Sequence, residues 1–193
     1  MAADTGTHDR RVAPVTGAMG GLGTELCHRL HAEGFLVAAT HSPQNARRLL
    51  GDLGRIDVLV NNAGITRDRS MRKMSQEDWH AMMGTDLDSA FNMTRPVLGT
   101  MIARCWGRII NISSVNGQQG AFGQGNYAAA KAGMHGFTKS LALGAPRHHG
   151  QYRLARLPGH RDGEPGAARD AARTHLATDA GRATGQTGRG GGA

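Results

Sequence analysis

Ser114, Tyr127 and Lys131 are the residues of this chain whose types and spacing can do chemistry together. Tyr127-x-x-x-Lys131 puts a phenol and an ammonium on one helical face, one turn apart. A phenol with an ordinary pKa of about 10 is a poor acid–base group at neutrality, and a neighbouring ammonium lowers that pKa by stabilising the phenolate. The spacing alone more often marks a surface pair. Ser114 changes the reading, because it stands 13 residues upstream at the end of a strand. A hydroxyl there can hold a carbonyl oxygen while the phenol protonates the alkoxide that forms. The set suits reduction of a ketone.

These side chains need a scaffold, and the sequence lays one out. A helix over Asn126–Leu143 carries the Tyr/Lys pair, and a strand over Arg108–Ile112 leads to the serine. Near the start, a strand over Val12–Thr16 runs straight into Thr16-Gly-x-x-x-Gly-x-Gly23. An amphipathic helix follows, with Leu22, Leu26 and Leu30 at four-residue spacing and Gly34 as its stop. Gly17 allows a tight turn, Gly21 lets backbone approach a pyrophosphate, and Gly23 permits close helix–strand packing. The helix N-terminus then meets negative charge. Glycine-rich turns are common, so the flanking strand and helix are what favour a dinucleotide, with Gly17, Met19, Gly21, Leu22 and Gly23 as expected contacts.

Phe35–Thr40 is apolar, as a strand buried on both faces should be, and Ile56–Val60 is a further strand ending in Asn61-Asn62-Ala63-Gly64. Ser75 followed by Asp78 reads as a capping box, and a helix is expected from about Leu87 to Arg104. Strands alternating with helices indicate an α/β, Rossmann-like, doubly wound parallel sheet. Only 15 residues separate Thr40 from Ile56. A regular winding would place a helix, a strand and a helix there, about 40 residues at typical lengths. The sheet is therefore expected to be incomplete at that point, and again after residue 143. The end of the second strand usually selects the cofactor. It offers Thr40, His41 and Ser42 rather than an acid, with Arg47 and Arg48 close behind, which favours the 2′-phosphate of NADPH over NAD. Solvated helix arginines are the alternative.

The formal net charge of +8 raises nucleic-acid or membrane binding. Residues 144–193 hold eight Arg, no Lys and four acids, so half of the excess sits in the last quarter, and no basic stripe stands beside aromatics. Neither partner is expected. Cys27 and Cys105 are too few for a disulfide framework and suit no metal site; both are expected on helices. The absence of a long apolar run and of a signal-peptide layout makes a cytoplasmic location the expectation.

With these motifs in place, the chain resembles the short-chain dehydrogenase/reductase family, and within it the acetoacetyl-CoA reductases of polyhydroxybutyrate synthesis. The resemblance rests on the glycine motif, NNAGITRD (61–68), RKMSQEDW (72–79) and WGRIINISSVNGQQGAFGQGNYAAAKAGMHGFTKSLAL (106–143), and covers about residues 11–143. It implies that Ser114 orients the ketone, that Tyr127 is the acid, and that Lys131 lowers the phenol's pKa and binds the nicotinamide ribose. It places Asn62, Ala63 and Gly64 along the cofactor groove, and Asp68, Phe122 and Gln124 against an acyl-CoA substrate. Ala121 replaces a polar residue common in the family. Asp86 stands where the family has an Asn that supports a water relay to the lysine. An ionised aspartate accepts but cannot donate, and its charge can pair with Lys131. Relatives form tetramers through helices like those at 75–104 and 126–143; another interface uses the C-terminal part this chain lacks, which leaves its assembly open.

Residues 1–10 are polar and are expected to be a loose, disordered N-terminus. From Gly144 onward there is no Ile, Val, Phe, Met or Trp, and 11 of 50 residues are Gly. Such a segment cannot bury enough apolar surface to offset its ordering entropy. Codons for His148–Asp162, read one base later, permit ITVNTVSPGYLATEM, and the same shift over Thr178–Gly192 permits QMPVGRLGRPEEVAA. Both are family-like, so residues 144–193 read as a frameshifted tail. The functional expectation is NADPH-dependent reduction of acetoacetyl-CoA to 3-hydroxybutyryl-CoA. Reduction of 3-oxoacyl groups on acyl carrier protein is the enzymatic alternative, and a catalytically inactive, dinucleotide-binding remnant is the other.

Overall fold

The computed structural model describes residues 10–40 and 46–144. In chain order the elements are β1 (Val12–Thr16), α1 (Gly21–Ala32), β2 (Leu36–Thr40), α2 (Ala46–Leu53), β3 (Val58–Asn61), α3 (Gln76–Met83), α4 (Ser89–Ala103), β4 (Arg108–Asn111), α5 (Asn116–Gln119) and α6 (Gly125–Gly144). The tail at 145–193 and the expected loose N-terminus, apart from Arg10, lie outside the described residues.

The four strands form one parallel sheet in the order β2-β1-β3-β4. The chain winds outward from β1 to β2, then crosses back over β1 to begin β3. The gap between β1 and β3 is therefore the switch point, where open α/β sheets bind ligands at the carboxyl ends of their strands. The pleat sorts the strands' side chains into two cores. Val58, Val60 and Ile112 pack with Ala13 and Val15 against Leu26 and Leu30 of α1. Leu59 and Ile109, on the opposite face, pack with Met93, Val97 and Met101 of α4.

The short stretch after Thr40 is bridged by one helix. Leu49 and Leu50 of α2 join the α4 core, and α2 is the one element between β2 and β3 among the described residues. No strand pairs on the far side of β2 among the described residues. This corrects the expectation that β2 is buried on both faces: Leu36, Val37 and Ala38 are half-buried and Ala39 is exposed. In the described sheet β2 is an edge strand.

Two buried polar clusters hold the sheet to its helices. At the amino ends of the strands, Asp57 accepts from the Val12 N–H (2.8 Å), from both nitrogens of an Arg55 fork (2.9 and 2.8 Å) and from Arg104 of α4 (2.8 Å). Burial alone would raise the Asp57 pKa; the hydrogen bonds from Arg55, Val12 and Arg104 outweigh it and hold the carboxyl below its ordinary value. At the carboxyl ends, Asn61 donates to Asn111 (2.7 Å) and to Thr94 of α4 (3.3 Å), and Asn111 donates to Thr138 of α6 (2.7 Å). That chain fixes α6, and so the Tyr/Lys pair, against the strands that lead to Ser114.

Ser75 caps α3 as expected, accepting from the Asp78 N–H at 3.1 Å. The Asp78 carboxylate turns instead to Arg67 (3.4 Å). The long helix differs from its expected start at Leu87. Gly84–Asp88 forms a π-helical segment between α3 and α4, which makes the helix continuous from Gln76 to Ala103. Such bulges are frequent at functional sites, and this one contains the buried Asp86. Cys105 is not helical either; it follows α4, exposed, with φ of 52°. Among the described residues no helix is long and apolar enough to cross a membrane.

Candidate active site

The glycine turn and the segment after β3 are locked together. Thr16 Oγ1 accepts from the backbone N–H groups of Asn62 and Ala63, both at 2.9 Å. The Asn62 amide donates in return to the carbonyls of Thr16 (3.1 Å) and Gly17 (3.2 Å). Gly17 has φ of 63°, and a Cβ there would lie 2.8 Å from Ala63 Cα. A Cβ on Gly23 would lie 2.1 Å from the Gly17 carbonyl oxygen, so any side chain would break the turn.

The carboxyl ends of β1, β3 and β4 open onto a cleft of about 480 Å³, lined among others by Gly17, Gly21, Asn62, Ser114, Tyr127 and Lys131. Nothing lies within 4 Å of where a Gly21 Cβ would be. Bare backbone at the first turn of α1 is thus free to meet an anionic group, and a pyrophosphate fits there. The structure brings Gly17, Gly21, Leu22, Gly23, Asn62 and Gly64 to this one cleft with the Ser/Tyr/Lys set. Ala63 is half-buried just behind the lining. Met19 is 85% exposed and Arg47 is exposed in the first turn of α2; neither lines the cleft. His41 and Ser42 lie outside the described residues.

Tyr127 and Lys131 are buried on one face of α6, with Lys131 Nζ 5.5 Å from the centre of the Tyr127 ring. Ser114 Oγ accepts from the Asn116 N–H at 3.2 Å. Lys131 is shared. Its Nζ donates to the Ile112 carbonyl (3.2 Å) and lies 3.2 Å from Asp86 Oδ2. The Asp86 contact is one of charge without an aligned hydrogen bond, since Oδ2 has none. Asp86 is fully buried, and its Oδ1 accepts from the Ile65 N–H at 2.9 Å. Burial raises its pKa, and the Lys131 charge and the Ile65 N–H pull it back only in part. A Cβ on Gly64 would lie 2.9 Å from Asp86 Oδ2 and 3.3 Å from Lys131 Nζ, so this pair packs directly against the Gly64 backbone.

Asp68, Phe122 and Gln124 lie on two loops outside the cleft lining, with Gln124 donating to Asp68 Oδ2 at 2.9 Å and Phe122 97% exposed. Sequence reasoning missed two residues here. Asn126 is fully buried beside Tyr127, and its amide donates to the carbonyls of Arg67 (3.2 Å) and Asp78 (3.4 Å). Asn116 donates to Gln124 Oε1 at 2.7 Å. An Asn at a helix start signals a cap, which would have found Asn126; nothing local marks Asn116. Among the described residues no group of His, Cys, Asp and Glu is arranged to hold a metal.

Residues 42–149 match the sequence profile of the short chain dehydrogenases. The acetoacetyl-CoA reductase of Cupriavidus necator is 45% identical over 166 residues, covering 69% of this chain and 68% of the relative. Nodulation protein G of Azospirillum brasilense is 46% identical over 166 residues, with 69% and 68% covered. The 3-oxoacyl-[acyl-carrier-protein] reductase of Escherichia coli is 37% identical over 161 residues, with 68% and 66% covered. For the first of these, 69% of 193 residues is about 133, against 166 aligned positions, so about 33 residues of the relative have no counterpart inside the match. That shortfall agrees with the single-helix crossover after β2.

Proposed function

Because the chain belongs to the short chain dehydrogenase family, we propose that it reduces the 3-keto group of acetoacetyl-CoA to 3-hydroxybutyryl-CoA, with NADPH as its cofactor. The observation that carries the reading is that Ser114, Tyr127 and Lys131 line the same cleft as the glycine turn. Gly17, Gly21, Leu22, Gly23 and Asn62 would hold the dinucleotide, which supplies the hydride when bound. The Ser114 hydroxyl, its lone pair engaged by the Asn116 N–H, gives its hydrogen to the ketone oxygen. Tyr127 delivers a proton to the same oxygen as negative charge develops on it. Lys131 stabilises the phenolate left behind.

The lack of an acid over residues 41–45 supports NADPH, and Arg47 and Arg48 are the cations closest in sequence for its 2′-phosphate. The higher identity to the acetoacetyl-CoA reductase than to the acyl-carrier-protein enzyme supports the CoA thioester. In this reading the reductase domain spans residues 11–143, and residues 144–193 are a frameshift product, which resequencing of the gene would check.

The test is loss of reduced-cofactor absorbance with acetoacetyl-CoA or acetoacetyl-acyl carrier protein, each with NADPH and with NADH. Faster oxidation of NADPH with the CoA ester is expected. A preference for the carrier-protein ester would reassign the substrate. NADPH binding without turnover of either thioester would identify a dinucleotide-binding remnant and reject the reductase.

A further inference from the structure

The loop that carries Phe122 joins α5 to α6 outside the cleft lining. It turns at Gly120 and Gly123, with φ of 71° and 78°, and leaves Phe122 97% exposed between them. One backbone bond, from the Arg69 N–H to the Gly123 carbonyl (2.8 Å), ties it to the loop after β3. Backbone bonds also join its two ends to α5 and α6 (Gly120 N–H to the Asn116 carbonyl, 2.9 Å; Ala128 N–H to the Gln124 carbonyl, 2.8 Å), and side chains add a second tie to the loop after β3. Asn116 Nδ2 donates to Gln124 Oε1 (2.7 Å), and Gln124 Nε2 donates to Asp68 Oδ2 (2.9 Å). Asn116 is at the same time the residue whose backbone N–H engages Ser114 Oγ.

This relay has a direction that chemistry fixes. A carboxylate only accepts, so the Gln124 end facing Asp68 must be the NH₂. The carbonyl end then faces residue 116, and only a donor there completes the chain. We propose that Asn116 is a positioning residue for thioester binding: as the donor that starts the relay Asn116→Gln124→Asp68, it holds the Phe122 loop in register with Ser114. The inference rests on the thioester-reductase reading above. It adds a specificity role at a residue that touches neither the ketone nor the cofactor cleft.

A reversal of polarity tests it. In Asn116→Asp, both ends of Gln124 face carboxylates, and one contact must break. The backbone N–H to Ser114 remains. With NADPH saturating, KM for acetoacetyl-CoA should rise about tenfold, the scale of one hydrogen bond to a charged group, while kcat changes little. In the Asp68→Asn background the relay can run backwards, with the new amide at position 68 donating to Gln124 and Gln124 donating to the new carboxylate at position 116. There, Asn116→Asp should add no further rise in KM. An equal rise in both backgrounds, or a loss confined to kcat, would overturn the proposal. Amide hydrogen exchange at Arg69 and Gln124 in the unliganded protein should follow the same pattern, fast in Asn116→Asp and restored in the double variant. This second readout needs no turnover. If the parent is inactive, the reductase reading fails, and exchange alone decides the relay: restoration supports it and no restoration rejects it.

Discussion

Replacing Asp86 with Asn should make the enzyme faster, by a factor that depends on pH. Asp86 Oδ2 lies 3.2 Å from Lys131 Nζ with both side chains buried, so the ammonium that should serve Tyr127 is partly committed elsewhere. At an effective dielectric of about 20, two unit charges at that distance attract by about 5 kcal/mol before desolvation is counted. A cation within a few ångströms shifts an acid by about 1–3 units, and neutralising that cation forfeits a comparable amount, roughly 1.4–4 kcal/mol. With proton transfer about half complete in the transition state, kcat should rise about 3- to 30-fold on removing the charge. The amide keeps an acceptor for the Ile65 N–H and turns a donor toward Lys131, which releases the ammonium. The sign of the pH dependence follows from the raised pKa of Asp86. Above that pKa the parent carries the charge and is slow; below it the protonated acid resembles the amide. Steady-state kcat for both proteins across pH should therefore give a ratio that is largest at high pH and falls toward one on acidification. By linkage, a raised folded-state pKa means that Asp86 stabilises below its unfolded pKa and loses that contribution as pH rises through its folded one. A kcat ratio of one throughout, or one indifferent to pH, would refute the reasoning.

Tyr127→Phe should lower kcat by at least about 100-fold while leaving NADPH affinity, followed by cofactor fluorescence, within a few fold. Gly23→Ala should have the opposite signature: a Cβ 2.1 Å from the Gly17 carbonyl oxygen breaks the phosphate turn, so cofactor affinity should fall by about tenfold or more in the same titration. Asp57→Asn should cost about 3 kcal/mol in urea unfolding at neutral pH, the lower end for removing one partner of a buried pair, because Arg55 and Arg104 keep some contact with water. The lowered Asp57 pKa means that its stabilisation is present above the unfolded carboxylate value and disappears as pH falls through the folded one, so the two proteins' stabilities should converge in acid.

Much of the site was legible in the sequence because its residues are close along the chain or bound to an element's period. Tyr127 and Lys131 share a face through helical spacing alone, and the glycine turn announces itself between β1 and α1. The charge contact of Asp86 with Lys131 was expected from the family resemblance, and the structure supplies its distance. The π-helical segment that contains Asp86 was not legible, since its residues have the composition of an ordinary helix. The Asn116–Gln124–Asp68 relay was invisible for another reason. Its members are neighbours only after two loops meet, and no pattern of period 2 or 3.6 records that meeting. The strand β2 was legible as a strand and misread as interior, because apolar composition reports what a residue can bury rather than whether a neighbour is there to bury it.

That strand has a consequence for handling the protein in bulk. Leu36–Thr40 contains no charge and no proline, the two devices that ordinarily blunt a sheet's margin. Among the described residues no strand pairs with the outer edge of Leu36–Ala39, whose small and apolar residues offer a template for pairing between molecules. Soluble yield should therefore fall with expression level and with concentration rather than with temperature alone, and a lysine placed at the exposed Ala39 should recover material from the pellet.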